Sequence, residues 1–147
     1  MLIVVIKGEN VMIDGMENWF VLTNIYGDDF EFENSEVEYS RSEIMASRMS
    51  LDIIVSKEVK YPPNKWKKWE KVYVKIDFFG VKEIFSKVDR VPFIISKISV
   101  TYEQNLYEIN IQSKNNDFIK CKFMLSRIQN VKPLVYNEKN KKFEICE

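Results

Sequence analysis

The chain has 147 residues, a length that suits one domain with a single core, and its 22 basic and 22 acidic side chains give a formal net charge of zero. It has no histidine, only four isolated glycines and two widely spaced cysteines. This composition excludes histidine-based triads and general bases, most zinc sites and glycine-rich phosphate-binding loops, so we expect no catalytic residue, no metal and no cofactor.

The first third of the chain contains short apolar runs between glycines. Three runs predict strands: Leu2 to Ile6, Val11 to Ile13 and Trp19 to Thr23. Alternating phenylalanines and glutamates predict an extended segment over 28–39. The segment 41–56 suits a helix or a strand, and we favour a strand over 48–57 preceded by one helical turn.

The rest of the chain has a clearer period of two. Val72, Val74, Ile76 and Phe78 alternate with polar residues and predict a strand with one buried face. Three more strands follow with short connections, so the whole region is predicted to be a four-stranded antiparallel meander, with strands at 71–79, 93–102, 106–113 and 118–128. We expect one helical turn within 81–92 and an edge strand at "FEIC", 143–146.

Seven to nine strands with little helix predict a mostly β, single-domain protein spanning 1–147, folded as an antiparallel sandwich or a strongly curved sheet. The alternative is an α+β fold with one helix on the sheet. Edge strands can also pair between two copies of the chain, so a homodimer is a further alternative. No run reaches the ~20 apolar residues of a membrane span and no secretory signal is present, so we expect a cytoplasmic protein with two free thiols, Cys121 and Cys146.

Charge is divided along the chain. Residues 1–58 contain twelve acidic and four basic side chains, about −8, and residues 59–147 contain ten acidic and eighteen basic side chains, about +8. The densest acidic stretch, 28–39, is a candidate surface for a basic protein partner, and its predicted contact residues are Asp28, Asp29, Glu31, Glu33, Glu36 and Glu38 with the aromatic residues Phe30, Phe32 and Tyr39. A solvated acidic face is the simpler interpretation, and metal binding or carboxylate-based hydrolysis is the least favoured.

A second candidate surface lies ahead of the strand at 71–79. Its residues are Lys65, Trp66, Lys67, Lys68, Trp69 and Lys71, which suit stacking on unpaired bases with lysines at phosphates. We favour structural capping of the core by the two tryptophans, because they stand three residues apart at the junction of a loop and a strand. Nucleic-acid binding is therefore the alternative function and is not favoured.

Three stretches, "WEKVYVKIDFFGVKEIF", "ISKISVTYEQNLYEINIQS" and "DFIKCKFMLSRI", resemble in strand order, spacing and aromatic content the sheet of small bacterial immunity proteins of polymorphic toxin systems. The resemblance covers roughly residues 66–128. It implies a stoichiometric inhibitor that binds one cognate toxin domain and performs no chemistry.

Overall fold

The computed structural model describes the backbone of residues 3–6 and residues 16–146 in full. The described residues form eleven strands, one short α-helix and one 3₁₀ turn at Ile44–Ala46. The α-helix and strands are β1 (Ile3–Ile6), β2 (Met16–Glu17), α1 (Phe20–Tyr26), β3 (Glu36–Glu43), β4 (Arg48–Val55), β5 (Lys71–Phe79), β6 (Glu83–Lys87), β7 (Phe93–Glu103), β8 (Leu106–Ser113), β9 (Phe118–Phe123), β10 (Leu125–Asn137) and β11 (Lys142–Ile145).

Hydrogen-bonded neighbours follow the order β11-β10-β5-β4-β3-β7-β8-β9-β6, with β1 added beside β7 and β2 beside β10. Among the described strands, only β2 with β10 is parallel. The first two residues of β7 pair with β3, and its remainder pairs with β8 across a register shift between Ile95 and Lys97. A register shift of this kind bends a strand, and β7 therefore divides the sheet into two halves, β11-β10-β5-β4-β3 and β8-β9-β6. The two halves enclose one hydrophobic core, in which Phe78 of β5 meets Phe123 of β9 with ring centroids 4.9 Å apart. The predicted mostly β, antiparallel class is confirmed.

Strands β4 and β5 form where the period of two predicted them. Met49, Leu51 and Ile53 of β4 are buried, and so are Val72 and Val74 of β5. Because apolar and polar side chains alternate along most of both strands, a shift of one residue would turn these apolar side chains away from the core, so the burial of this face favours the observed register.

The predicted meander is correct for three of its four strands. β7, β8 and β9 are consecutive neighbours, whereas β5 pairs with β4 and β10. The strand predicted at 118–128 is divided at Met124 into β9 and β10, which belong to the two different halves of the sheet. The helical turn expected within 81–92 is replaced by β6, which pairs with β9. Local sequence indicates which residues are extended, but pairing partners depend on how the sheet closes around the core.

The strand predicted at Trp19 to Thr23 is wrong, because this segment begins α1. Trp19, Leu22, Ile25 and Tyr26 are buried, which is the spacing of one helical face, and Gly27 ends the helix with φ 103°. A short apolar run fits either structure by periodicity alone. The run at Val11 to Ile13 lies outside the described residues.

Two smaller expectations concern the cysteines and the membrane. Cys121 is buried, Cys146 is half-buried, and both are free thiols, as predicted. In the described part of the chain, no helix has the length and apolar character needed to cross a membrane.

Candidate partner-binding surface

The acidic stretch 28–39 does not form one continuous strand. Residues 27–35 are a loop that makes turns, in which the amide of Phe30 donates to the carbonyl of Gly27 and the amide of Ser35 donates to that of Phe32. Asn34 has φ 70°, which interrupts extended backbone. Only the last part of the stretch, from Glu36 onward, belongs to β3.

Phe30 and Phe32 are each only 2% exposed. Their rings lie 5.0 Å apart, and Phe30 also stacks on Tyr26 at 4.7 Å and meets Trp19 at 5.7 Å. Phe30 and Phe32 were predicted to contact a partner, and this burial leaves little of either ring accessible to one. Both are core residues that hold the loop against the body of the protein. The alternation of phenylalanine with glutamate fits a strand and also fits a loop whose aromatic side chains face inward, so the sequence did not distinguish the two.

The carboxylates of the stretch lie at different depths. Asp28 and Asp29 are exposed at the turn after α1, and Oδ1 of Asp29 is 3.8 Å from Nζ of Lys60. The half-buried carboxylates are Glu31, Glu33 and Glu36. Their role toward a partner stays a prediction.

Glu38 and Tyr39 are exposed on β3. The register of β3 against β4 shifts between Val37 and Tyr39, so Glu38 occupies a β-bulge. Beyond it, Tyr39 lies opposite Asp52, on the face of the sheet that points away from the core.

In the hairpin formed by β3 and β4, most of β3 and the turn are open to solvent: every residue from 38 to 47 is exposed, whereas β4 is paired with β5 along its whole length. At its end, Ile44 is 88% and Met45 is 99% exposed. Ser47, with φ 49°, closes the turn: its amide donates to the carbonyl of Ile44 at 3.1 Å, and its carbonyl accepts from the amide of Val81 at 2.9 Å. The hairpin end is therefore tethered to the body while presenting two apolar side chains.

The outward face of the sheet contains a concavity of about 520 Å³ next to this hairpin. It is lined by Glu38, Tyr39, Arg41, Asp52, Ile54, Tyr73, Leu134, Phe143 and Ile145. The hydroxyl of Tyr73 donates to Oδ1 of Asp52 at 2.7 Å, and the guanidinium of Arg41 lies 5.2 Å from the ring of Tyr39. Tyrosine, arginine and phenylalanine are the residue types enriched at protein interfaces.

Two pKa shifts describe the charge of this face. Burial, followed by the hydrogen bond to Asp52, raises the pKa of Tyr73 well above its usual value. The interaction with Tyr39 raises the pKa of Arg41. The phenol therefore stays neutral and the guanidinium stays charged throughout the physiological range, which suits recognition through fixed charges more than proton transfer.

A buried polar cluster lies next to the turn of the hairpin. Asp77 is fully buried, its Oδ1 accepts from the hydroxyl of Ser50 at 2.6 Å, and its Oδ2 lies 2.5 Å from a guanidinium nitrogen of Arg48. The Arg48 guanidinium also lies 5.0 Å from the ring of Phe79. These contacts join β4 to β5 beside the hairpin turn.

The segment of tryptophans and lysines is divided between core and solvent. Trp66 is 6% exposed and belongs to the core, and Trp69 packs against the core with its ring 6.0 Å from that of Trp66. Lys65, Lys67 and Lys68 are exposed, whereas Nζ of Lys71 lies 4.5 Å from the ring of Phe143. A ring buried like that of Trp66 is not accessible to a base, whereas that of Trp69 is half-buried, and a nucleic-acid role for this segment stays an alternative prediction.

Charges from the two halves of the chain meet in several places. Arg127 contacts Glu17 at 2.8 Å, and Lys60 contacts Asp29. The acidic and basic halves are therefore in part interleaved on the surface.

Sequence reasoning missed the residues that line the concavity and the end of the hairpin. The polar positions of the predicted strands contain Asp52 and Tyr73, but their contact depends on the pairing of β4 with β5. Ile44 and Met45 belong to the one helical turn expected ahead of the strand at 48–57, which is the 3₁₀ turn, but the exposure of their side chains was not predicted. Two adjacent apolar residues between turn-forming serines were the signal available for an exposed turn.

Comparison with known proteins adds an independent observation. A family model described as immunity protein 50 matches residues 18–134, well over half of the chain, and this span includes α1, the hairpin and the paired strands from β3 through most of β10. Neither the curated proteins nor the solved structures contain a match. The resemblance to immunity proteins is thereby confirmed, and the chain belongs to the immunity protein 50 family.

Proposed function

We propose that this protein neutralises a cognate bacterial toxin in the cytoplasm by binding it directly, in a stoichiometric complex and without catalysis. The proposed contact surface, called here the hairpin surface, comprises the exposed residues Asp28, Asp29, Glu38, Tyr39, Ile44 and Met45. The proposal rests on family membership together with one structural observation: an exposed hairpin that ends in two apolar side chains.

The end of the hairpin supplies the apolar part of the surface. Two adjacent side chains that are 88% and 99% exposed gain nothing from the fold of their own chain. Burial of either one in a partner's pocket is worth about 1.5–3 kcal/mol. Ile44 and Met45 thus take the anchoring role that the sequence assigned to Phe30 and Phe32.

The carboxylates beside the hairpin supply its charge. Residues 28–38 contain six acidic side chains and no basic one, and they outnumber the two lysines that lie against the stretch, Lys57 and Lys60, so the local field favours a positively charged partner. Toxins that act on nucleic acids need a positively charged surface to bind the phosphates. Opposite charges on two proteins accelerate their association more than they raise the final affinity. A basic toxin is therefore the partner we propose.

The first experiment tests the anchor. The probe is the toxin domain encoded beside the gene for this chain, and affinity is measured by calorimetry for the wild type, Met45→Ser and the control Phe20→Ser, whose side chain is 60% exposed on α1. We expect Met45→Ser to weaken binding by about 10- to 100-fold and the control to change it little. Equal effects of the two variants contradict the anchor, and absence of any wild-type binding contradicts direct neutralisation.

The second experiment tests the charge. Asp28→Lys with Glu38→Lys reverses two exposed carboxylates of the hairpin surface, and Glu103→Lys with Glu138→Lys makes the same change in net charge at exposed positions elsewhere. We expect the first pair to slow association about tenfold at low salt and the second to have a smaller effect. If both double variants slow association equally, the rate depends only on net charge, and the acidic stretch is not part of the contact surface.

A further inference from the structure

β6 is an exposed strand at one end of the strand order. It pairs with β9 on one side, and no other described strand pairs with it. All five of its residues, Glu83 to Lys87, are exposed, including Phe85 at 61%. The turn between β3 and β4 lies beside its first residues, where Ile44 shares a concavity with Glu83 and Ile84, and the rest of the strand is open to solvent. It contains no proline and no register shift, two of the features that protect an edge strand from pairing; its charged residues, Glu83 and Lys87, are another such feature and restrict which strand can pair with it.

The sequence of β6 is complementary to itself. In an antiparallel pair of two identical strands centred on Phe85, Glu83 lies directly opposite Lys87 of the second copy, and Lys87 lies opposite Glu83 of the second copy. Phe85 then faces its own equivalent across the two-fold axis. Both charged pairs and the aromatic pair lie on the same face of the sheet, since residues at positions 83, 85 and 87 share one side of a strand.

Other registers lose this complementarity. Moving the two-fold axis by half a residue toward the N-terminus places Lys82 opposite Lys87 of the second copy, and moving it by one residue places Glu83 opposite Phe85. Like charges directly opposite each other destabilise a strand pair. Charge therefore favours the register centred on Phe85.

The neighbouring strand extends the same pattern. Nζ of Lys122 on β9 lies 3.6 Å from Oε2 of Glu83, and the two residues are register partners. In the paired sheet, Glu83 would lie between Lys122 of its own chain and Lys87 of the second copy, so positive and negative side chains alternate across three strands.

We propose that β6 is a self-association edge, through which two copies of this chain form a two-fold dimer with one continuous antiparallel sheet. The occupant is a second copy, because the charge order of the strand matches itself in reverse. This inference does not depend on which toxin the protein binds.

Matched charge variants test the dimer. Mass is measured by sedimentation equilibrium for the wild type, Glu83→Lys, Lys87→Glu, an equimolar mixture of the two single variants, and the control Glu103→Lys with Lys114→Glu, and circular dichroism confirms that each is folded. We expect concentration-dependent dimers for the wild type and the control. Each single variant places like charges in both cross-strand pairs and should raise the dimer dissociation constant at least about tenfold.

The mixture is the decisive sample. The β6 strand of the Glu83→Lys chain has lysine at both charged positions, and the β6 strand of the Lys87→Glu chain has glutamate at both. Opposite charges therefore face each other in both cross-strand pairs of a mixed dimer, and we expect the heterodimer to form. A wild type that stays monomeric at high concentration, single variants that dimerise like the wild type, or a mixture that does not associate would each overturn the proposal.

Discussion

Replacing Trp66 with alanine measures how much the tryptophan and lysine segment contributes to the fold. The side chain is 6% exposed and packs in the core beside Trp69. A buried tryptophan removes roughly 200 Å² from water, and at about 25 cal/mol per Å² this is about 5 kcal/mol as an upper bound. We expect Trp66→Ala to lower the free energy of unfolding by about 3–5 kcal/mol, which corresponds to a fall in Tm of about 10 °C or more.

The measurement is urea denaturation followed by far-UV circular dichroism, which does not depend on the fluorescence of the deleted ring. Lys67→Ala is the matched control, because its side chain is exposed one position away, and it should change the free energy by less than about 0.5 kcal/mol. If Trp66→Ala costs less than about 1 kcal/mol, the ring does not cap the core as described, and a recognition role for it regains support.

Two further predictions concern buried groups. Asp77→Ala leaves the guanidinium of Arg48 and the hydroxyl of Ser50 without their acceptor, so we expect a loss of about 2–4 kcal/mol in urea denaturation, and a loss within about 0.5 kcal/mol contradicts the importance of this cluster. Burial raises the pKa of the Cys121 thiol from 9.0 to about 12, so Ellman's reagent at pH 8 should titrate Cys146 alone in the native protein and both thiols after unfolding. Two fast-reacting thiols in the native protein would refute the burial of Cys121. Because the pKa of this thiol is higher in the folded state than in the unfolded state, its contribution to stability is complete below pH 9 and is lost as the pH rises from 9 toward 12.

The regular strands were predictable because their signal is local. From β4 to β9, most strands were placed within a few residues, since each has alternating apolar and polar side chains. β6 and the later part of β10 were not predicted. β6 has no buried residue at all, so its sequence has no reason to show a core-facing pattern.

The surface was less predictable than the strands. The acidic stretch was visible as a run of carboxylates, but the burial of Phe30 and Phe32 depends on Trp19 and Tyr26, which pack against them only because the preceding segment forms α1 and not the predicted strand. The contact between Asp52 and Tyr73 depends likewise on the pairing of two strands.

Composition alone removed imidazole chemistry, because residue types set the available functional groups, and the period of two along the chain predicted the mostly β class. The order of residues was also enough to suggest an immunity protein. Only the tertiary structure decided that the phenylalanines of the acidic stretch face inward, that Ile44 and Met45 face solvent, and that β5 joins β4 and β10. These outcomes depend on which apolar surfaces cover one another when the sheet bends around its core, and that competition among distant segments has no local signature in the chain.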